Sequence, residues 1–189
     1  MAQVGGNGDI KTVAYSPDGT QLAVGTSNNV LYVMDVATKR MTKVLALDLY
    51  QGEGIAWSVD GTKVYYCGFT ELVSVNAATG AELWRTPDSG GSFIKVSDDG
   101  TRILCGKHLH RSSDGALLFT HSYNDIDSLG LSRDGTKVLV GATSNLIQVR
   151  DALTGVNIGV LSGATRQLYG IWQIQTLSAT GGPVLRFRS

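Results

Sequence analysis

Cys105, His108 and His110 are residues whose types and spacing suit chemistry. Histidines at i and i+2 of a strand point the same way, and with a cysteine they begin a metal-ligand set. Asn124, Asp125 and Asp127 offer two carboxylates and an amide, the oxygen donors a hard cation needs. Glu53, Glu71 and Asp125 are carboxylates of the kind that cleave glycosidic bonds when two are held at a set separation. Gly5-Gly6-Asn7-Gly8 and Gly52-Glu53-Gly54 lack the strand–helix setting and the following Lys-Ser/Thr of a phosphate loop. A Gly-x-Ser-x-Gly nucleophile turn does not occur.

The elements that must position these residues are repeats. Ser16-Pro17-Asp18-Gly19-Thr20 recurs as Ser58 to Thr62, Ser97 to Thr101 and Ser132 to Thr136, roughly every 40 residues. Apolar side chains alternate before each turn, as in Val13-Ala14-Tyr15 and Ile55-Ala56-Trp57, which predicts strands with one buried face. Asp-Gly then predicts a hairpin, because glycine accepts the positive φ of the turn. A second strand, a polar loop, a third strand, an Asp/Asn turn at Asp35, Asn76 and Asp151, and a fourth strand complete each unit. Four short antiparallel strands per repeat predict an all-β fold of β-propeller blades.

Aligned on the turns, Cys105 takes the place of Val24 and Val140 and reads as a small core residue. Cys67 falls at or next to the same position. His110 falls where Met34 and Arg150 lie, so no metal site is expected. Asn124 and Asp125 read as a solvated turn. Tyr15 and Trp57 share one repeat position and read as core, and Trp84 reads as a cover for a blade edge. Arg186 and Arg188 read as a solvated strand face.

From Val13 to Leu45, and again from Leu129 to Leu161, the chain resembles bacterial WD-repeat-like or YVTN-type propeller blades. The resemblance covers about residues 9–162. The Gly-His dipeptide is missing, and the Trp-Asp position holds Met34-Asp35, Val75-Asn76, His110-Arg111 and Arg150-Asp151. The resemblance implies a binding platform whose partners vary, since fold does not fix function. It also implies a remote alternative, because some five-bladed propellers are glycosidases.

The blades are expected at about residues 9–46, 47–87, 88–121 and 122–162 of a single domain spanning 1–189. Residues 163–189 lack the Asp-Gly-Thr turn and are read as three strands of a fifth blade. Leu168 to Trp172, Thr176 to Ala179 and Val184 to Phe187 supply them, and residues 1–6 supply the fourth strand through Ala2-Gln3-Val4. The alternatives are a disordered or partner-binding extension on four blades, a fragment of a larger ring, and a ring completed by another subunit.

Sixteen basic and sixteen acidic residues balance, which removes the electrostatic argument for nucleic acid or an anionic membrane. No stretch is long and apolar enough to predict a membrane span, and no secretory signal is read at the N-terminus. Two cysteines are too few for a disulfide framework, so a reducing cytoplasm is the default expectation, with a virion component equally compatible.

The two turns at one end of each repeat are monotonous, whereas the loops at the other end vary. Binding residues concentrate on loops held by a rigid scaffold. The expected binding set is Tyr50, Glu53, Phe69, Glu71, Tyr123, Asn124, Asp125 and Arg166, with the aromatics as interface anchors. The expected function is a non-enzymatic, protein-binding or structural scaffold without a cofactor, one component of a larger assembly such as a virion or particle surface. The alternative is a carbohydrate-binding propeller.

Overall fold

The computed structural model describes residues 8–46, 54–68, 70–87, 93–122, 126–142 and 147–161. The alternating segments are strands, and each Asp-Gly-Thr turn places its glycine at positive φ: Gly19 at 72°, Gly61 at 70°, Gly100 at 70° and Gly135 at 66°. An L side chain there meets the following carbonyl, so glycine is favoured. Among the described residues there is no helix.

The described residues contain sixteen strands in four sheets of four. The first blade is β1 (Ile10–Tyr15), β2 (Gln21–Thr26), β3 (Val30–Asp35) and β4 (Met41–Ala46). The second is β5 (Gly54–Trp57), β6 (Lys63–Cys67), β7 (Glu71–Asn76) and β8 (Glu82–Pro87). The third is β9 (Ile94–Val96), β10 (Arg102–Cys105), β11 (His108–Arg111) and β12 (Leu117–Thr120). The fourth is β13 (Ile126–Leu131), β14 (Lys137–Ala142), β15 (Ile147–Asp151) and β16 (Asn157–Leu161). Within each sheet the strands follow chain order and pair antiparallel. The first strands β1, β5, β9 and β13 touch in succession, so the sheets stack as blades of a β-propeller. Residues 1–6 and 163–189, the expected fifth blade, lie outside the described residues.

The period of two divides every blade into two apolar faces. Ala23, Leu31 and Val33 of blade 1 pack on Ile55, Trp57, Val64, Tyr66, Val73 and Val75 of blade 2. The opposite face of blade 2, with Tyr65, Cys67 and Leu72, packs on Ile94, Ile103 and Cys105 of blade 3. Leu104 and Leu109, on the far side of blade 3, meet Val138, Val140 and Ala152 of blade 4. Each such aliphatic side chain contributes about 1.5–3 kcal/mol on burial. The core is thus a series of junctions, each between blades adjacent in sequence.

Two core expectations change. Trp57 is buried and its indole Nε1 donates to the Ala14 carbonyl of the preceding blade at 2.9 Å, but Tyr15 at the same repeat position is exposed. Among the described residues no blade precedes blade 1, and Tyr15 is 65% exposed. Cys105 is fully buried as expected, yet it is not a thiol: it forms a disulfide with Cys67, their Cα atoms 6.2 Å apart. Register explains the pairing. Cys67 lies opposite Gly54, one step beyond the Ile55–Tyr66 pair, and so projects from the face of blade 2 that meets blade 3.

Candidate functional site

The two ends of the strands differ in chemistry. At the turn end, each serine hydroxyl donates to the aspartate two residues on, at 2.6 Å in Ser16–Asp18, Ser58–Asp60, Ser97–Asp99 and Ser132–Asp134. The same carboxylate accepts from the threonine amide that follows the glycine, at 2.9–3.0 Å. These donors hold the aspartates well below the usual carboxylate range, with the serine hydroxyl as the largest cause and Asp60 and Asp134 at about 2. The neighbouring turn is tied in as well. Val36, Ala77, Ser112 and Ala152 donate their amides to Thr20, Thr62, Thr101 and Thr136, at 2.9–3.0 Å. Carboxylates satisfied by their own loops are structural parts.

At the opposite end, Thr26 Oγ1 donates to Asn28 Oδ1 at 2.6 Å, and Ser27 and Asp9 exchange two hydrogen bonds. Glu71 opens β7 there. Its carboxylate pairs with Arg85 on β8, which also holds Glu82 at 2.8 Å. Both carboxylates keep the guanidinium firmly protonated, Glu82 being the larger cause. Glu71 is therefore a neutralised carboxylate. Tyr50, Glu53, Phe69, Tyr123, Asn124, Asp125 and Arg166 lie outside the described residues.

The histidines are buried between blades. His108 and His110 share one side of β11, ring centres 6.1 Å apart. The Nδ1 of His110 donates to the Gly115 carbonyl at 3.0 Å, which also accepts from Thr86 Oγ1 of blade 2 at 2.8 Å. Burial lowers the proton affinity of His110 first, and His108 beside it adds to this. His121 stacks edge-on against Phe119, ring centres 4.8 Å apart, and burial, reinforced by Arg150, brings it to about 4. Cys105 is bound to Cys67, and among the described residues no group of three His, Cys, Asp or Glu is arranged to hold a metal ion.

Sequence reasoning missed one surface. The outermost strand β16 exposes Val156, which immediately precedes it, together with Ile158 and Val160. The signal was present, since residues 155–162 carry no charge. Among the described residues no helix is long and apolar enough to cross a membrane.

No family model matches this chain. The ciliary WD repeat-containing protein ctxp80 of Euplotoides octocarinatus is 30% identical over an alignment covering 59% of this chain and 18% of that protein. Among solved structures, the Cps50 (Swd1) β-propeller domain of Myceliophteria thermophila has a TM-score of 0.70 at 13% identity, covering 85% of this chain and 57% of that one. The hydrazine synthase of Kuenenia stuttgartiensis has a TM-score of 0.66 at 19% identity, covering 80% and 48%. The chain thus spans less than a fifth of the curated relative and about half of each solved chain. With its stacked four-stranded blades, the chain has the β-propeller fold, and over part of its length it is similar to a WD repeat-containing protein.

Proposed function

We propose that this chain is a non-enzymatic scaffold that binds other proteins, as a component of a larger assembly such as a particle surface. The observation that carries this reading is β16. Edge strands present unpaired backbone groups, and proteins commonly protect them with charge or proline. β8 follows that rule with Glu82, Arg85 and Pro87, whereas Val156, Ile158 and Val160 stand exposed in an uncharged stretch. Exposed apolar strips of this kind mark interaction sites. The variable loops, with Tyr50, Phe69, Tyr123 and Arg166 beside Glu53, Glu71, Asn124 and Asp125, supply a second contact region in this reading.

Cross-linking mass spectrometry on material co-purified from the native source tests it. A discrete partner should cross-link next to β16, and Ile158→Asp should abolish its recovery while leaving the melting temperature within a few degrees. A partner retained undiminished by Ile158→Asp, or a chain recovered only as a bare monomer, removes the reading. Specific hits on a glycan array without any protein partner would favour the carbohydrate-binding alternative instead.

A further inference from the structure

The junction of blades 2 and 3 carries side chains that its packing does not call for. On β11, His108 lies directly opposite Cys105 of β10, and His110 directly opposite Ile103. Directly opposite residues project from the same face of a sheet. Cys105 and Ile103 face blade 2, so both histidines do as well. Cys67 reaches the same junction from blade 2 and is bonded to Cys105. Two sulfurs and two imidazoles thus share one junction. The matching places for Cys105, His108 and His110 in blade 2 hold Tyr66, Val73 and Val75, which pack against blade 1. A blade junction of this kind therefore requires neither sulfur nor imidazole there.

The two histidines are 7% and 1% exposed, yet His108 Nδ1 and His110 Nε2 have no hydrogen-bond partner among the described residues. Buried polar atoms are otherwise almost always paired, and an unoccupied ion site is one reason for an exception. The Nδ1 proton of His110 goes to the Gly115 carbonyl, which leaves Nε2 with its lone pair. Metal-binding histidines are commonly oriented in this way, by a carbonyl on the other ring nitrogen. The two ring centres are 6.1 Å apart. Zinc binds an imidazole nitrogen at about 2.0–2.1 Å, hence about 3.2 Å from the ring centre, so one ion can reach both rings.

With both sulfurs engaged in the disulfide, no metal set exists among the described residues. We propose that, once this disulfide is reduced, Cys67, Cys105, His108 and His110 bind one Zn²⁺ in its place. A phosphine reductant and one water become the phosphine oxide, and the S–S bond becomes two thiols. The ion then displaces the two thiol protons, which leave to solvent. Two thiolates and two neutral imidazoles are the donor set of closed, tetrahedral zinc sites. Blades 2 and 3 are then cross-linked in either state, by a covalent bond or by a metal.

Titration of the full chain with Co²⁺, a coloured stand-in for Zn²⁺, tests this. After reduction by a phosphine, one equivalent should bind, with a sulfur-to-cobalt charge-transfer band and the intense visible bands of a tetrahedral ion. Zn²⁺ should bleach both. The oxidised chain should show neither. His110→Phe and the milder His108→Gln should each weaken Co²⁺ binding by at least about 10-fold. If reduction unfolds the chain, added Zn²⁺ should restore the sheet signal in circular dichroism, because binding and folding are then coupled. A reduced chain that shows no tetrahedral cobalt bands overturns the proposal. So does binding that either histidine variant leaves unchanged, which assigns the ion to the sulfurs without that imidazole.

Discussion

Trp57 and Tyr15 hold the same place in two copies of one repeat, and their surroundings differ completely. The first closes the junction of blades 1 and 2, its indole bonded across to Ala14. The second stands in the open at the start of the series. A repeat fixes how a side chain projects from its own blade, but burial belongs to the pair of blades.

The largest test of that contrast is truncation. Trp57→Ala should lower unfolding free energy by about 3–5 kcal/mol in a denaturant titration. Tyr15→Ala should change the main transition by less than about 1 kcal/mol, as an exposed site does. Equal losses at the two positions would show that their surroundings are equivalent.

The junction of blades 2 and 3 extends the comparison. Replacing Cys67 and Cys105 together by alanine should cost about 2–4 kcal/mol, because the bridge closes a loop with a sequence separation of 38. A thermal melt with and without reductant makes the same measurement on the unmodified chain.

Acid should act next, through blade 3, which holds all three histidines. His110 and His121 are neutral when folded, their proton affinities held below 6.5 by burial. The unfolded chain therefore takes up protons first as pH falls. Stability is full above 6.5, drops as pH falls through that value, and levels off below about 4. The loss at His121 is on the order of 2 kcal/mol, and His121→Phe should flatten it in melts from pH 7 to 4.5.

The smallest test lies in blade 1 alone. Lys39 sits at φ 56°, where Gly80, Gly115 and Gly155 occupy the matching turns. Lys39→Gly should raise stability by about 1 kcal/mol by relieving the left-handed backbone. A loss instead would mean that the lysine side chain has a partner worth more than the relief.

The blades were legible because their causes are local: alternation, the Asp-Gly turn and its serine clamp all lie within a few residues. The Cys67–Cys105 bond was not, because it depends on one step of register between β5 and β6, which changes the face from which Cys67 projects. Tyr15 was misplaced by the same alignment that placed Trp57 correctly, since burial at that position is set by the adjoining blade and not by the repeat itself. The binding set was legible only as loops that vary. Of its members, Glu71 alone falls among the described residues, and its pairing with Arg85 depends on a cross-strand neighbour that loop variation does not reveal.

Gly115 has a meaning beyond its turn. A Cβ there would lie 2.4 Å from Thr86 Oγ1 and 2.6 Å from the Trp84 ring, both on the last strand of the blade before. Gly155 stands in the same relation to Phe119, at 2.7 Å. Each blade thus fits against a surface already completed by residues synthesised earlier. The chain can consolidate in the order in which it leaves the ribosome, one junction at a time.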